Sequence, residues 1–232
     1  MTSLALPILR QFVHDAVNCV KPLVDRLELL DHFPDRRVWL QEPEARRSAV
    51  RSLNALMQAL KDIRTLAQCE QFQKDAWQPV DWKELTTRHI APLQQDRRRP
   101  FRFEVRGSDF KGRADPDLIA HALDNLTWFA EHYSNRLIGI TLKTLAYKGK
   151  PAVRLLYAVE TLFDPGPDFG RCRPFFRMTE EKSSDLSETT GFLFFVVQQI
   201  AALHHGAFTA RAGNKKATLE WTCPLNAGRT YG

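Results

Sequence analysis

DPDLIAHALDNLTWFAEHYS, residues 115–134, is the stretch around which the C-terminal two thirds of the chain organise themselves. Asp115 and Pro116 stand in N-cap and first-turn places, where a carboxylate can accept orphaned amides and a missing N–H costs nothing. The pattern predicts an amphipathic helix from Asp115 to His132. Upstream, FRFEVRG (101–107) alternates as a strand does, and PVDWKELTTRHIAPLQQD (79–96) is a short helix with Asp81 as its leading cap. Downstream, LIGITLKTLAYKG (137–149) and PAVRLLYAVETL (151–162) are strands joined by a turn centred on Gly149. GFLFFVVQQIAALHHG (191–206) reads as a buried helix ending in Gly206, which suits a C-cap. AFTARAG and KATLEWTCPL form a final hairpin through Gly213-Asn214. Helix, strand, helix, strands, helix and two strands make an α+β layer, a mixed sheet covered on one face by helices.

The N-terminal third has a different period. Over residues 4–31, Leu9, Val13, Ala16, Val20, Leu23, Leu27 and Leu30 are spaced 4-3-4-3-4-3, a sustained heptad seam with Pro22 set to kink it. Residues 31–43 carry two prolines and no period, so they connect. A second helix runs from Glu44 to about Gln71, with Val50, Leu53, Met57, Leu60, Ile63 and Ala67 as its apolar stripe. A helical hairpin cannot bury two stripes alone. Pairing with a twin in a four-helix bundle solves this, and a homodimer is expected. The alternative packs both helices on the chain's own second domain. The division is 1–75 for the hairpin and 76–232 for the layer.

Bulk properties narrow the function classes. The chain has 232 residues, 44% hydrophobic and 26% charged, without an apolar run long enough to cross a bilayer. Its first residues lack the charged start and cleavage site of a secretion signal. The four cysteines, Cys19, Cys69, Cys172 and Cys223, form no CxxC pair, which argues against a disulfide framework or structural zinc and for a reducing cytoplasm. No metal site is expected. The net charge of +6 has its densest run at Arg97-Arg98-Arg99, too short and isolated for a nucleic-acid stripe. It suits a solvated turn or a surface attractive to acidic proteins.

The stretch FVHDAVNCVKPLVDRLELL (12–30) carries the chemistry. His14 and Asn18 are one helical turn apart and share a face, with Asp15 beside the ring. His14 lies outside the heptad seam, on a strip continued by Lys21 and Glu28. An exposed imidazole whose neighbouring carboxylate holds one ring N–H leaves the other nitrogen free as a nucleophile. HDAVNCV resembles the phosphoacceptor box of histidine kinases: His, Glu or Asp, two variable residues, Thr or Asn, then Pro-Leu. That resemblance implies His14 as phosphoacceptor, Asp15 as its acid–base partner and Asn18 as the group positioning water against a receiver aspartyl-phosphate. Cys19 departs from the pattern; the proline here is displaced to Pro22.

Residues 79–225 resemble the ATPase domain of the same family. VDWKEL resembles its opening helix and DPDLIAHALDNLTWFAEHYS its asparagine box. CRPFFR (172–177) resembles its phenylalanine box, and TGFLFFVVQQIAALHHGAF its second glycine box with the following helix. The resemblance implies an α/β sandwich of the histidine-kinase ATPase type. Within it Asn125 matches the first box asparagine, a vestigial nucleotide-binding residue. The magnesium-ligating asparagine is replaced by Phe129, which offers no oxygen to an ion that demands six. Gly191-Phe192-Leu193-Phe194 has lost the second glycine of the phosphate loop. For the remaining glycine motif Asp164-Pro165-Gly166-Pro167-Asp168 is nearest, with Glu160 as another place for the adenine-contacting carboxylate. No cofactor is expected.

His204-His205 invites a metal reading, but a structural role fits the family better, and Phe192, Phe194, Phe195, Val196 and Val197 read as core. Ser183, Ser184 and Ser187 fall in the loop corresponding to the family's ATP lid. The resulting expectation is a two-component signalling protein. It would act as a histidine phosphotransferase or phosphatase on a response-regulator receiver domain through His14, without ATP. A binding-only pseudokinase is the first alternative, and an active kinase with an atypical ATP site the second.

Overall fold

The computed structural model describes residues 57–58, 60–69, 77–95, 100–161, 169 and 186–225. The His14 helix, the connecting loop, the start of the second helix and the Arg97–Arg99 run lie outside the described residues, as do Cys19, Cys172, Asp164–Asp168, Ser183 and Ser184.

Helix α1 comprises residues 57–58 and 60–69. It is followed by β1 (Gln78–Asp81), α2 (Trp82–Gln95), β2 (Phe101–Arg106), β3 (Lys111–Ala114) and α3 (Pro116–Tyr133). Then come β4 (Ser134–Tyr147), β5 (Lys150–Thr161), α4 (Leu186–Leu203), β6 (Ala207–Gly213) and β7 (Lys216–Pro224). Among the described residues, five strands form a mixed sheet in the order β2-β4-β5-β7-β6, while β1 and β3 make a separate antiparallel pair. Of these described pairings β2–β4 alone is parallel, and its crossover contains α3. The two short strands β1 and β3 were not expected; at four residues each they carry too little alternation to register.

Side chains on a strand alternate between faces, so one face of the sheet can be read off the register. Phe103, Ile140, Tyr157, Leu219 and Ala210 form one cross-strand row, and Val105, Leu142, Leu155, Trp221 and Phe208 the next. All but the two β2 residues are buried. The helices cover this face. The opposite face carries half-buried Thr141, Lys143, Arg154, Glu160, Thr218 and Glu220, with Arg154 and Glu220 paired at 3.2 Å.

The helix boundaries follow local chemistry. Asp81 accepts from the amides of Lys83 (2.9 Å) and Glu84 (3.1 Å) at the start of α2. Asp115 accepts from Asp117 (3.0 Å) and Leu118 (3.1 Å) at the start of α3, with Pro116 first in the helix. The end of α4 differs from expectation. His205, not Gly206, takes the left-handed conformation (φ 56°). Its amide bonds Ala202 O at 2.9 Å, and the Gly206 amide bonds Ala201 O at 2.8 Å, a Schellman pair. Gly206 serves another need: a Cβ there would lie 2.1 Å from the Thr222 carbonyl oxygen. The β4–β5 turn bends at Lys148 and Gly149, both with positive φ, as two-residue hairpin turns require. In the last hairpin the turn is Asn214-Lys215, one residue later than read, because Gly213 still pairs with Lys216.

Helix α1 is rotated relative to the predicted stripe, of whose described members Ile63 packs, partly buried, against the core. Met57 (56% exposed) and Leu60 (45%) face outward and Ala67 is exposed, while Asp62, Thr65 and Leu66 are buried. The periodicity finds the apolar residues, but the face against the C-terminal layer is the partly polar one.

Candidate functional site on helix α3

His121, Asn125 and Phe129 follow one another at four-residue spacing, so they lie along one face of α3. Asn125 and Phe129 are both 0% exposed. Their surroundings have opposite chemistry.

Asn125 meets α1. Its Nδ2 donates to Asp62 Oδ1 at 2.9 Å, and its Oδ1 accepts from Gln58 Nε2 at 2.5 Å. His121 Nε2 is 2.7 Å from the same Asp62 oxygen, and Gln58 Nε2 reaches it at 3.3 Å. A carboxylate oxygen accepts, so Nε2 of His121 carries the proton in this contact. Gln58 and Asp62 are one turn apart on α1, as His121 and Asn125 are on α3. The result is a clasp between two helices in which one carboxylate oxygen receives three donors. Leu66 extends the contact into the core. Near the end of α1 the half-buried Cys69 thiol is pushed up to about 12 by burial and by the Asp115 carboxylate.

Phe129 packs within a cluster of rings. Its centroid lies 5.0 Å from Tyr133, 5.4 Å from Phe194 and 5.7 Å from Phe169. Phe169 and Phe194 stack edge to face at 5.2 Å, and Phe194 continues to Phe208 at 5.6 Å. These separations are those of favourable aromatic pairs. Thr127 and the buried Tyr157 hydroxyl share a hydrogen bond at 3.2 Å, and burial drives the Tyr157 phenol upward.

These residues do not fit a magnesium nucleotide. Phe129 supplies no oxygen ligand and is closed in by other rings. The Asn125 carboxamide, one turn away, is engaged at both its oxygen and its nitrogen. Gly191–Phe194, which the resemblance matches to a phosphate loop, lies inside α4, which begins at Leu186, five residues before the predicted start. Beyond the first four residues of a helix the amides are used within it, so those of 191–194 do not point at a ligand. Ser187 is likewise helical rather than part of a loop. Glu160 sits on the strand face turned away from the helices, in register with Lys216, and does not join Asn125.

His204 is buried and structural. Nε2 accepts from the Asp115 amide at 3.1 Å, and Nδ1 donates to Ile200 O at 2.8 Å. Its ring stacks on Trp77 at 5.5 Å. Burial holds its pKa below the usual imidazole range, against the opposing effects of the Ile200 hydrogen bond and the Asp115 charge. Both nitrogens are spoken for, and among the described residues no group of three or more His, Cys, Asp or Glu could hold a metal ion. Phe194, Val196 and Val197 are core, as read. His89 on α2 contacts Asp124 on α3 at 2.5 Å, a second imidazole–carboxylate pair.

Of the sequence-predicted site residues, Asn125 is placed as described, while His14, Asp15 and Asn18 lie outside the described residues. The clasp partners Gln58, Asp62 and His121 were missed. Their only signal is two pairs of polar residues at four-residue spacing, which any solvated helix face also shows. Among the described residues, no helix is long and apolar enough to cross a membrane.

No protein-family model matches the chain, and no curated protein matches it by sequence. Solved structures do. The catalytic domain of histidine kinase ThkA is 18% identical with a TM-score of 0.52, over 65% of this chain and 97% of that one. Acinetobacter baumannii histidine kinase AdeS is 16% identical with a TM-score of 0.56, over 94% of this chain and 96% of that one. Histidine kinase ThkA in complex with response regulator protein TrrA gives a TM-score of 0.63 at 13% identity, over 98% of this chain and 64% of that one. At these identities the likeness is one of architecture, and the chain is histidine kinase-like in fold.

Proposed function

We propose that this chain is a homodimeric, cytoplasmic two-component signalling protein that exchanges phosphate with a response-regulator receiver domain through His14, without ATP. The observation that carries the reading is a kinase-type layer whose Asn125–Phe129 face is filled by the chain's own side chains, in a sequence that retains His14-Asp15-x-x-Asn18. In transfer, one imidazole nitrogen attacks the phosphorus of the receiver acyl phosphate, and the receiver aspartate leaves as a carboxylate. Asp15 holds the other ring nitrogen and balances the developing positive charge. In the phosphatase variant, Asn18 orients a water for the same attack and inorganic phosphate leaves. The exposed Met57 and Leu60 support pairing with a second copy, since an apolar helix edge seeks cover.

The test is incubation of the full chain with a phosphorylated receiver. Label on His14, or faster loss of receiver phosphate, is expected, and His14→Ala should abolish both. A second reading, a pseudokinase that only binds a kinase or receiver, is favoured by the same filled face. It predicts that His14→Gln leaves partner binding and regulation intact. Stabilisation of the chain by magnesium with a nucleotide would overturn the ATP-independent part of the proposal.

A further inference from the structure

Helix α1 packs Leu66, with half-buried Ile63 and Cys69, on the core, yet it buries Asp62 and Thr65 beside them and leaves Met57 and Leu60 outside. Apolar contacts at Ile63, Leu66 and Cys69 do not by themselves explain why Asp62 and Thr65 are buried while Met57 and Leu60 stay outside. A directional contact accounts for this, and among the described residues the side-chain hydrogen bonds between α1 and α3 are those of Gln58 and Asp62 with Asn125 and His121. We infer that the Asp62 carboxylate is a latch that docks α1 on the C-terminal layer, with Asn125 and His121 as its receptor, so that the chain itself occupies the polar face of α3. Buried polar groups are costly when unpaired, so a helix slid or turned by one residue would leave Asp62, Asn125 and His121 without partners. An apolar seam tolerates such a shift far better. The latch fixes the rotation and register of α1, and with them the outward direction of Met57 and Leu60. Asp62 is a positioning residue, and its role does not depend on phosphate chemistry at His14.

Cys69 is a native reporter of this docking, because it lies on the same helix two turns beyond Asp62 and is half-buried, while Cys223 lies in the core. The experiment is alkylation of the full chain with iodoacetamide, resolved by peptide mass spectrometry, with labelling at Cys69 compared with that at Cys223. In Asp62→Ala we expect Cys69 labelling to rise by at least about ten-fold, since a freed cysteine titrates near ~8.5, with Cys223 unchanged. The exchanged pair Asp62→Asn with Asn125→Asp restores a donor opposite an acceptor and should return protection to Cys69. Equal protection of Cys69 in parent and Asp62→Ala, or no recovery in the exchanged pair, overturns the latch. Should Asp62→Ala open the core and expose Cys223, Gln58→Ala removes only one arm. A selective rise at Cys69 in that variant supports the latch, and none overturns it.

Discussion

Asn125 and Phe129, on neighbouring turns of α3, are both completely buried, and by different physics. At Phe129 the burial is of apolar surface among Tyr133, Phe169 and Phe194, a contact with little directional demand that stabilises in proportion to area. At Asn125 the net gain is small, because each hydrogen bond replaces one with water, but the cost of misplacement is large. The first region contributes cohesion and the second contributes register. The chain has thus divided between two mechanisms a helix face that the resemblance assigns to one ligand.

The comparison can be broken by exchanging the chemistries. Phe129→Asn returns an oxygen ligand to the position, yet it should cost about 3–5 kcal/mol, as other large-to-small core changes do. Denaturant unfolding measures that cost, and it should appear with no gain in magnesium-nucleotide binding; a variant as stable as the parent would remove the aromatic half of the contrast. Asp62→Ala should cost about 1–3 kcal/mol, because His121 and Asn125 lose their shared acceptor. The same unfolding experiment reads it, and a neutral result would make the clasp incidental.

Acid sharpens the contrast at a third buried polar group. His204 is held below the usual imidazole range by burial. The unfolded chain therefore binds its proton first, and the stability His204 contributes is complete above the ordinary value of ~6.5 and lost as pH falls toward the folded one. The difference in stability between parent and His204→Gln should shift by at most about 1.4 kcal/mol per pH unit, in the parent's disfavour on acidification. Smallest is Tyr157→Phe, which leaves the ring row intact and removes one hydrogen bond to Thr127, a loss of about 0.5–1.5 kcal/mol in thermal melts.

Alternation and capping made most of the layer legible in advance. Asp81, Asp115 and Pro116 announce helix starts by local chemistry, and the β4–β5 and β6–β7 hairpins follow from runs of apolar residues around short turns. What escaped was set at a distance. The α4 start at Leu186 departs from the apolar run, because SETT adds a turn without hydrophobic periodicity. His205 takes the left-handed cap because Gly206 is consumed by the approach of β7, which no local pattern reveals. The rotation of α1 depends on where Asn125 waits, more than sixty residues further on. Asn125 was found through its box, but its partners had no box to belong to.

The β2–β4 pairing carries one more consequence, for the order of assembly. Four of the five strands join through local hairpins or antiparallel neighbours, whereas β2 reaches β4 in parallel, across β3 and α3. A parallel pair cannot close until its crossover is in place, and the entropy of that loop is spent before any reward. Strand β2 is thus the late arrival and, as an edge, the first to leave: its amides should exchange with solvent deuterium well before those of β5, held on both sides.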